Sequence, residues 1–153
     1  MKNFNLSKLL VLLLIILVSG CKKDTDPSTI QFSTQKNVPV IYVKVNNKPA
    51  IFILDTGASV SIIDKNFKTH YGFGTMENLN EGTITGVGGT VRMEDVYNCE
   101  VKYGDSILNV DLKSISLSHL AKVSNIVGVI GSDYFVKNKV SIDYNSKTLS
   151  SFN

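Results

Sequence analysis

The amino-acid sequence predicts an all-β domain, a closed β-barrel or sandwich with one or two short helices. Short runs rich in β-branched and aromatic residues recur from Gln31 onward, and turn residues separate them. Segments 116–123 and 131–137 are the best helix candidates. Because short strands with this spacing dominate the sequence, the pattern favours a barrel or sandwich over βαβ units. A domain of about 120 residues can bury a core of its own.

The first twenty residues have the pattern of a secretory signal peptide, in which two lysines precede an uninterrupted apolar run. A transmembrane anchor is the alternative, but the run is far shorter than the ~20 residues that a spanning helix needs. It closes with Val18-Ser19-Gly20-Cys21, which resembles the lipobox of bacterial lipoproteins. The resemblance implies a lipid on Cys21 and a membrane-anchored protein of the bacterial cell envelope, on its periplasmic or outer-surface face.

Removal of residues 1–20 would leave 14 basic and 13 acidic side chains, since that segment carries two lysines and no acid. This balance gives no reason to expect nucleic acid as a partner. Residues 22–29 are polar and contain Pro27, so we expect residues 21–30 to form a disordered tether. Residues 31–153 are then the folded domain.

Two hairpins are predicted in the first half of this domain. Val38–Val45 and Ala50–Leu54 are β-rich runs joined by turn residues, and they bring Asp55 to a strand end. Glu81–Val96 forms the second hairpin, and its glycine-rich tip can bend. Taken alone, this tip is typical of an ordinary flexible loop. A phosphate-binding loop is disfavoured because no Lys-Ser or Lys-Thr follows it.

The second half continues as strands at 97–103, 106–112, 127–130, 140–144 and 148–152. Cys99 lies in an alternating pattern that predicts a buried core residue rather than a reactive thiol. The sequence has no paired Cys and His at metal-ligand spacing, so a structural zinc site is disfavoured.

Asp55 is the strongest candidate for a functional residue, because it stands between a strand-like apolar run and a tight polar turn. Ile53, Leu54 and Ala58 leave it poorly solvated on one side. The Thr56-Gly57 pair that follows supplies a hydroxyl group and an unobstructed backbone N–H to orient the carboxylate. This arrangement suits a reactive acid.

The segment Ile53–Ser59 resembles the signature of the retropepsin-like aspartic peptidases, in which two apolar residues precede Asp-Thr-Gly and a small pair follows. Val129-Ile130-Gly131 resembles the family's late apolar-apolar-Gly element, and the second hairpin stands where the family has a flap. The resemblance implies a retropepsin-like fold and an endopeptidase that needs no metal or cofactor. The implied catalytic residues are Asp55, Thr56 and Gly57, and the implied substrate-binding residues are Ala58, Ser59, Gly86, Val87, Gly88, Gly89 and Val129.

Hydrolysis of a peptide bond by carboxyl groups needs two of them that share a proton, one to activate water and one to polarise the scissile carbonyl. The chain has one Asp-Thr-Gly, so we expect a homodimer that cleaves a peptide or unfolded protein. Asp64, Asp133 and Asp143 are better explained as structural residues: a solvated loop or cap residue, a helix cap or basic-group partner, and a turn residue that forms an Asx hydrogen bond.

Two other functions are compatible with the same residues. One is a non-catalytic peptide-binding or envelope assembly module that keeps the scaffold, and the other is an envelope anchor with a monomeric domain. The intact Asp-Thr-Gly favours the enzyme, because a binding module has no need for two acids held close together.

Overall fold

The computed structural model describes residues 29–73, 82–86, 89–94, 96–117 and 125–151. Its strands are β1 (Thr29–Gln31), β2 (Ser33–Gln35), β3 (Val38–Val45), β4 (Lys48–Leu54), β5 (Ile62–Asp64), β6 (Thr83–Gly86), β7 (Gly89–Arg92), β8 (Val96–Tyr103), β9 (Ser106–Ile115), β10 (Gly128–Ile130), β11 (Val140–Asp143) and β12 (Thr148–Ser151). A 3₁₀ turn (Lys65–Phe67) and two α-helices, α1 (Lys68–Tyr71) and α2 (Ser132–Lys137), complete the regular structure of these described residues. The predicted signal peptide and Cys21 lie outside the described residues.

Six strands close into a barrel in the order β3-β4-β10-β5-β9-β8, because β3 also pairs with β8. This architecture confirms the prediction of a closed all-β domain. Strand β10 lies between β4 and β5, parallel to the first and antiparallel to the second. A strand from late in the chain is therefore inserted between two early ones, beside the end of β4.

The barrel core follows from alternating strand residues, because successive side chains of a strand point to opposite faces. On β3 the alternate residues Ile41, Val43 and Val45 are buried, while Tyr42 between them is half exposed. Cys99 is buried as predicted, and its burial, with a smaller contribution from Asp111, raises the pKa of the thiol to about 12.

A second sheet, in the order β1-β12-β11, contains the last hairpin of the chain. Ile30 of β1 pairs with Leu149 of β12, and both side chains are buried. Strand β1 begins at Thr29, so residues 29 and 30 of the segment expected to be a disordered tether belong to this sheet instead. No helix within the described ranges is long and apolar enough to span a bilayer.

The predicted secondary structure differs from the observed one mainly at turns. The first hairpin turns at Asn46 and Asn47, both with positive φ, so β4 begins at Lys48 instead of Ala50. The predicted helix at 131–137 is confirmed as α2. Of the helix predicted at 116–123, the first two residues are not helical and the remainder lies outside the described part of the chain.

Candidate active site

Asp55 lies directly after β4, with its side chain exposed, at the start of a turn formed by residues 55–61 that we call the Asp55 turn. Its backbone N–H donates to the Ile130 carbonyl at 3.0 Å, and the Gly57 N–H donates to its Oδ1 at 2.8 Å. No described residue donates a hydrogen bond to Oδ2. The carboxylate is therefore oriented through one oxygen and open to solvent through the other.

Gly57 is favoured by the closeness of this contact. A Cβ at this position would lie 3.1 Å from Asp55 Oδ1, closer than most real Cβ contacts. A side chain here would require the carboxylate to shift by a few tenths of an ångström. The Asp-Thr-Gly motif thus has a local steric reason as well as a chemical one.

The Asp55 turn packs on the segment that joins β10 to α2. Ser132 donates from its N–H and its hydroxyl to the Ala58 carbonyl, at 2.8 and 3.0 Å. A Cβ on Gly131 would lie 2.6 Å from the Val60 carbonyl oxygen and 2.8 Å from that of Ala58. The Asp55 turn therefore packs directly against the late apolar-apolar-Gly element.

Val129 lies in the middle of β10, opposite Ile53 on β4 and Ile62 on β5. Paired residues of adjacent strands project to the same face of a sheet. Val129 is buried and its two partners are half buried, so the three form an apolar strip next to the Asp55 turn.

The second predicted hairpin is present as β6 and β7, which form a separate two-stranded sheet with Gly86 opposite Gly89. The predicted tip residues Val87 and Gly88 lie outside the described residues. Within the described chain no hydrogen bond joins Gly86 or Gly89 to the Asp55 turn. The five predicted residues from Asp55 to Ser59 thus lie beside β10, which carries Val129, whereas Gly86 and Gly89 belong to a sheet of their own.

The three other acids have structural partners, but two of the predicted roles need correction. Asp64 is fully buried instead of solvated, at the end of β5, where it pairs with Ile115 of the adjacent strand β9. Its Oδ1 accepts from the Asn66 N–H and so caps the 3₁₀ turn, whereas its Oδ2 has no partner among the described residues. Asp143 forms the expected Asx turn with the N–H groups of Asn145 and Ser146.

The helix-cap prediction for Asp133 is wrong, because Gly131 is the N-cap of α2 and Asp133 lies in its first turn. Asp133 accepts from the N–H of Tyr134, and its main partner is Ser61 instead of a basic group. Sequence reasoning did not identify Ser61 or Ser132 as site residues. The only available signal was a hydroxyl residue interrupting the apolar run from Val60 to Ile63. No group of three metal-ligating side chains occurs in the described ranges.

Comparison with known proteins agrees with this geometry. The family model described as aspartyl protease matches residues 41–134. The retroviral protease-like domain of Ddi1 from Leishmania major is similar in structure, with a TM-score of 0.60 and 18% identity over 76% of this chain and 89% of that one. The EIAV protease complexed with the inhibitor HBY-793 gives a TM-score of 0.55 and 19% identity over 72% of this chain and 97% of that one.

These structural likenesses show a retropepsin-like fold. A sequence search of curated proteins gave no match.

Proposed function

Since this chain belongs to the aspartyl protease family, we propose that it is an aspartic endopeptidase whose active site forms between two copies of the chain. The observation that carries the proposal is the Asp55 carboxylate, which is held by the Gly57 N–H on one oxygen and is open to solvent on the other. A general acid or base must be oriented and yet reachable in this way.

In the proposed mechanism one Asp55 is ionised and removes a proton from water, while the Asp55 of a second copy is protonated and polarises the scissile carbonyl. Attack of the water gives a tetrahedral gem-diol, and the protein forms no acyl intermediate. Two close carboxyl groups favour this shared-proton state because both cannot ionise cheaply. The exposed Thr56 is proposed to form a hydrogen bond across the two-fold axis.

The proposed substrate is an extended peptide or unfolded protein that lies between the β6–β7 hairpin and the Asp55 turn. Backbone groups of Gly57–Ser59 and of the hairpin tip, Gly86–Gly89, are proposed to pair with the peptide backbone, which makes recognition tolerant of sequence. The apolar strip around Val129, together with Val87 at the tip, favours apolar side chains next to the cleaved bond. The proposed location is the bacterial envelope, through a lipid on Cys21.

Asp55→Asn tests the enzyme directly. We expect cleavage of an unfolded protein to fall by at least about 100-fold, because the substituted amide cannot act as a base. Circular dichroism and solution mass should show that fold and dimer persist. Retained cleavage by Asp55→Asn would exclude the proposal.

A statine-type peptide, which mimics the gem-diol, separates the enzyme from a non-catalytic binding module. Binding that is strong in the wild type and lost in Asp55→Asn supports the enzyme. Equal binding by both proteins, with no cleavage by either, would instead favour the binding module.

A further inference from the structure

Ser61, at the end of the Asp55 turn, is fully buried and joined to Asp133 by two hydrogen bonds. Its backbone N–H donates to Asp133 Oδ2 at 2.9 Å, and its hydroxyl donates to Asp133 Oδ1 at 2.7 Å. The same hydroxyl accepts from the Gly131 N–H at 2.9 Å. One buried hydroxyl thus connects the Asp55 turn to Gly131, from which it accepts, and to Asp133 in the first turn of α2, to which it donates.

The Asp55 turn is attached to residues 130–133 at three points. Its first residue, Asp55, donates to the Ile130 carbonyl, and its middle residue, Ala58, accepts two hydrogen bonds from Ser132. Its last residue, Ser61, is held by Asp133. A turn held only at its first residue could still move and change the orientation of the carboxylate. Attachment at its middle and last residues as well restricts that motion.

We propose that Asp133, acting through Ser61, is a positioning residue that fixes the orientation of the Asp55 carboxylate. The inference rests on the proposed function for its catalytic consequence. Positioning errors of an ångström are costly in catalysis, since the reacting groups must meet in a narrow range of geometries. Asp133 itself contacts no reacting atom.

An aspartate is specifically required at position 133, because its carboxylate accepts three hydrogen bonds and donates none. Oδ2 faces the Ser61 N–H, and Oδ1 faces both the Ser61 hydroxyl and the Tyr134 N–H. In Asp133→Asn the amide nitrogen would face one of these two backbone N–H groups in either orientation, so one donor would lose its acceptor. The variant changes little in volume, so it tests the hydrogen bonds and the charge of the carboxylate rather than its packing.

Hydrogen–deuterium exchange of the full-length chain, followed by mass spectrometry, measures the attachment without requiring activity. In Asp133→Asn we expect the peptide covering residues 55–61 to exchange at least about tenfold faster than in the wild type, through local opening. Peptides from β8 and β9 should change much less. Asp143→Asn is the matched control, since it removes an equivalent turn-capping carboxylate elsewhere, and it should leave residues 55–61 unchanged.

A second pair of variants covers the case in which Asp133→Asn does not fold. Ser61→Ala removes the bridging hydroxyl and should accelerate exchange in the Asp55 turn, while Ser61→Thr keeps the hydroxyl and should restore much of the protection. Equal exchange of residues 55–61 in wild type and Asp133→Asn, or in the two Ser61 variants, would overturn the inference.

Kinetics then separate positioning from binding. If the wild type cleaves peptides, Asp133→Asn should lower kcat about tenfold or more while KM changes little, because the substrate contacts remain and the acid is displaced. If Asp133→Asn only lowers the fraction of folded protein and leaves kcat per folded molecule unchanged, Asp133 is not a positioning residue. If the wild type neither cleaves peptides nor binds the statine peptide, the proposed function fails while the exchange experiment still decides whether Asp133 fixes the turn.

Discussion

Replacing Gly131 by alanine tests whether the Asp55 turn rests directly on the end of β10. The added Cβ would lie 2.6 Å from the Val60 carbonyl oxygen, and ordinary contact begins at 3.4 Å, so the backbone must separate by about 0.8 Å. Both sides of the contact are held by backbone hydrogen bonds, including Ser132 to Ala58. Overpacking costs about 1–3 kcal/mol, and we expect the upper end because no flexible side chain can give way.

Thermal unfolding of the full-length chain provides the measurement. A loss of about 3 kcal/mol should lower Tm by roughly 10 °C for a domain of this size. Gly86→Ala is the control, because a Cβ there meets no atom within 4 Å and the same substitution should change the free energy of unfolding by less than about 1 kcal/mol. A Gly131→Ala protein that unfolds within about 2 °C of the Gly86→Ala protein would refute the close packing.

Two further predictions concern titratable groups. Hydrogen bonds from the Ser146 hydroxyl and backbone and from the Asn145 N–H lower the pKa of Asp143, so its stabilising effect is complete above the unfolded value of about 3.9 and is lost as the pH falls through the folded value. Urea unfolding should therefore show Asp143→Asn as less stable at pH 7 and nearly equal to wild type in strong acid; a constant difference contradicts this. Because burial raises the pKa of Cys99 to about 12, labelling of that thiol at pH 8, followed by peptide mass spectrometry, should be at least about 100-fold slower in the native chain than in urea. Rapid native labelling would show that Cys99 is not enclosed.

Much of the barrel was predictable because strand periodicity is a local property. The alternating residues of β8 correctly placed Cys99 in the core. The insertion of β10 between β4 and β5 was not predictable from periodicity, since pairing between strands that are distant in sequence leaves no local pattern. The burial of Asp64 was missed for the same reason, because it depends on pairing with β9, which lies about fifty residues later in the chain.

In the candidate active site, the sequence alone identified Asp55 as the candidate acid, because the Asp-Thr-Gly turn is built from neighbouring residues whose steric needs are local. Only the tertiary structure decided what holds that acid in place. Ser61 and Asp133 are 72 positions apart in the sequence. They form hydrogen bonds because β10 runs beside the Asp55 turn. A hydrogen bond across that separation depends on the path of the whole chain, which no single stretch of residues encodes.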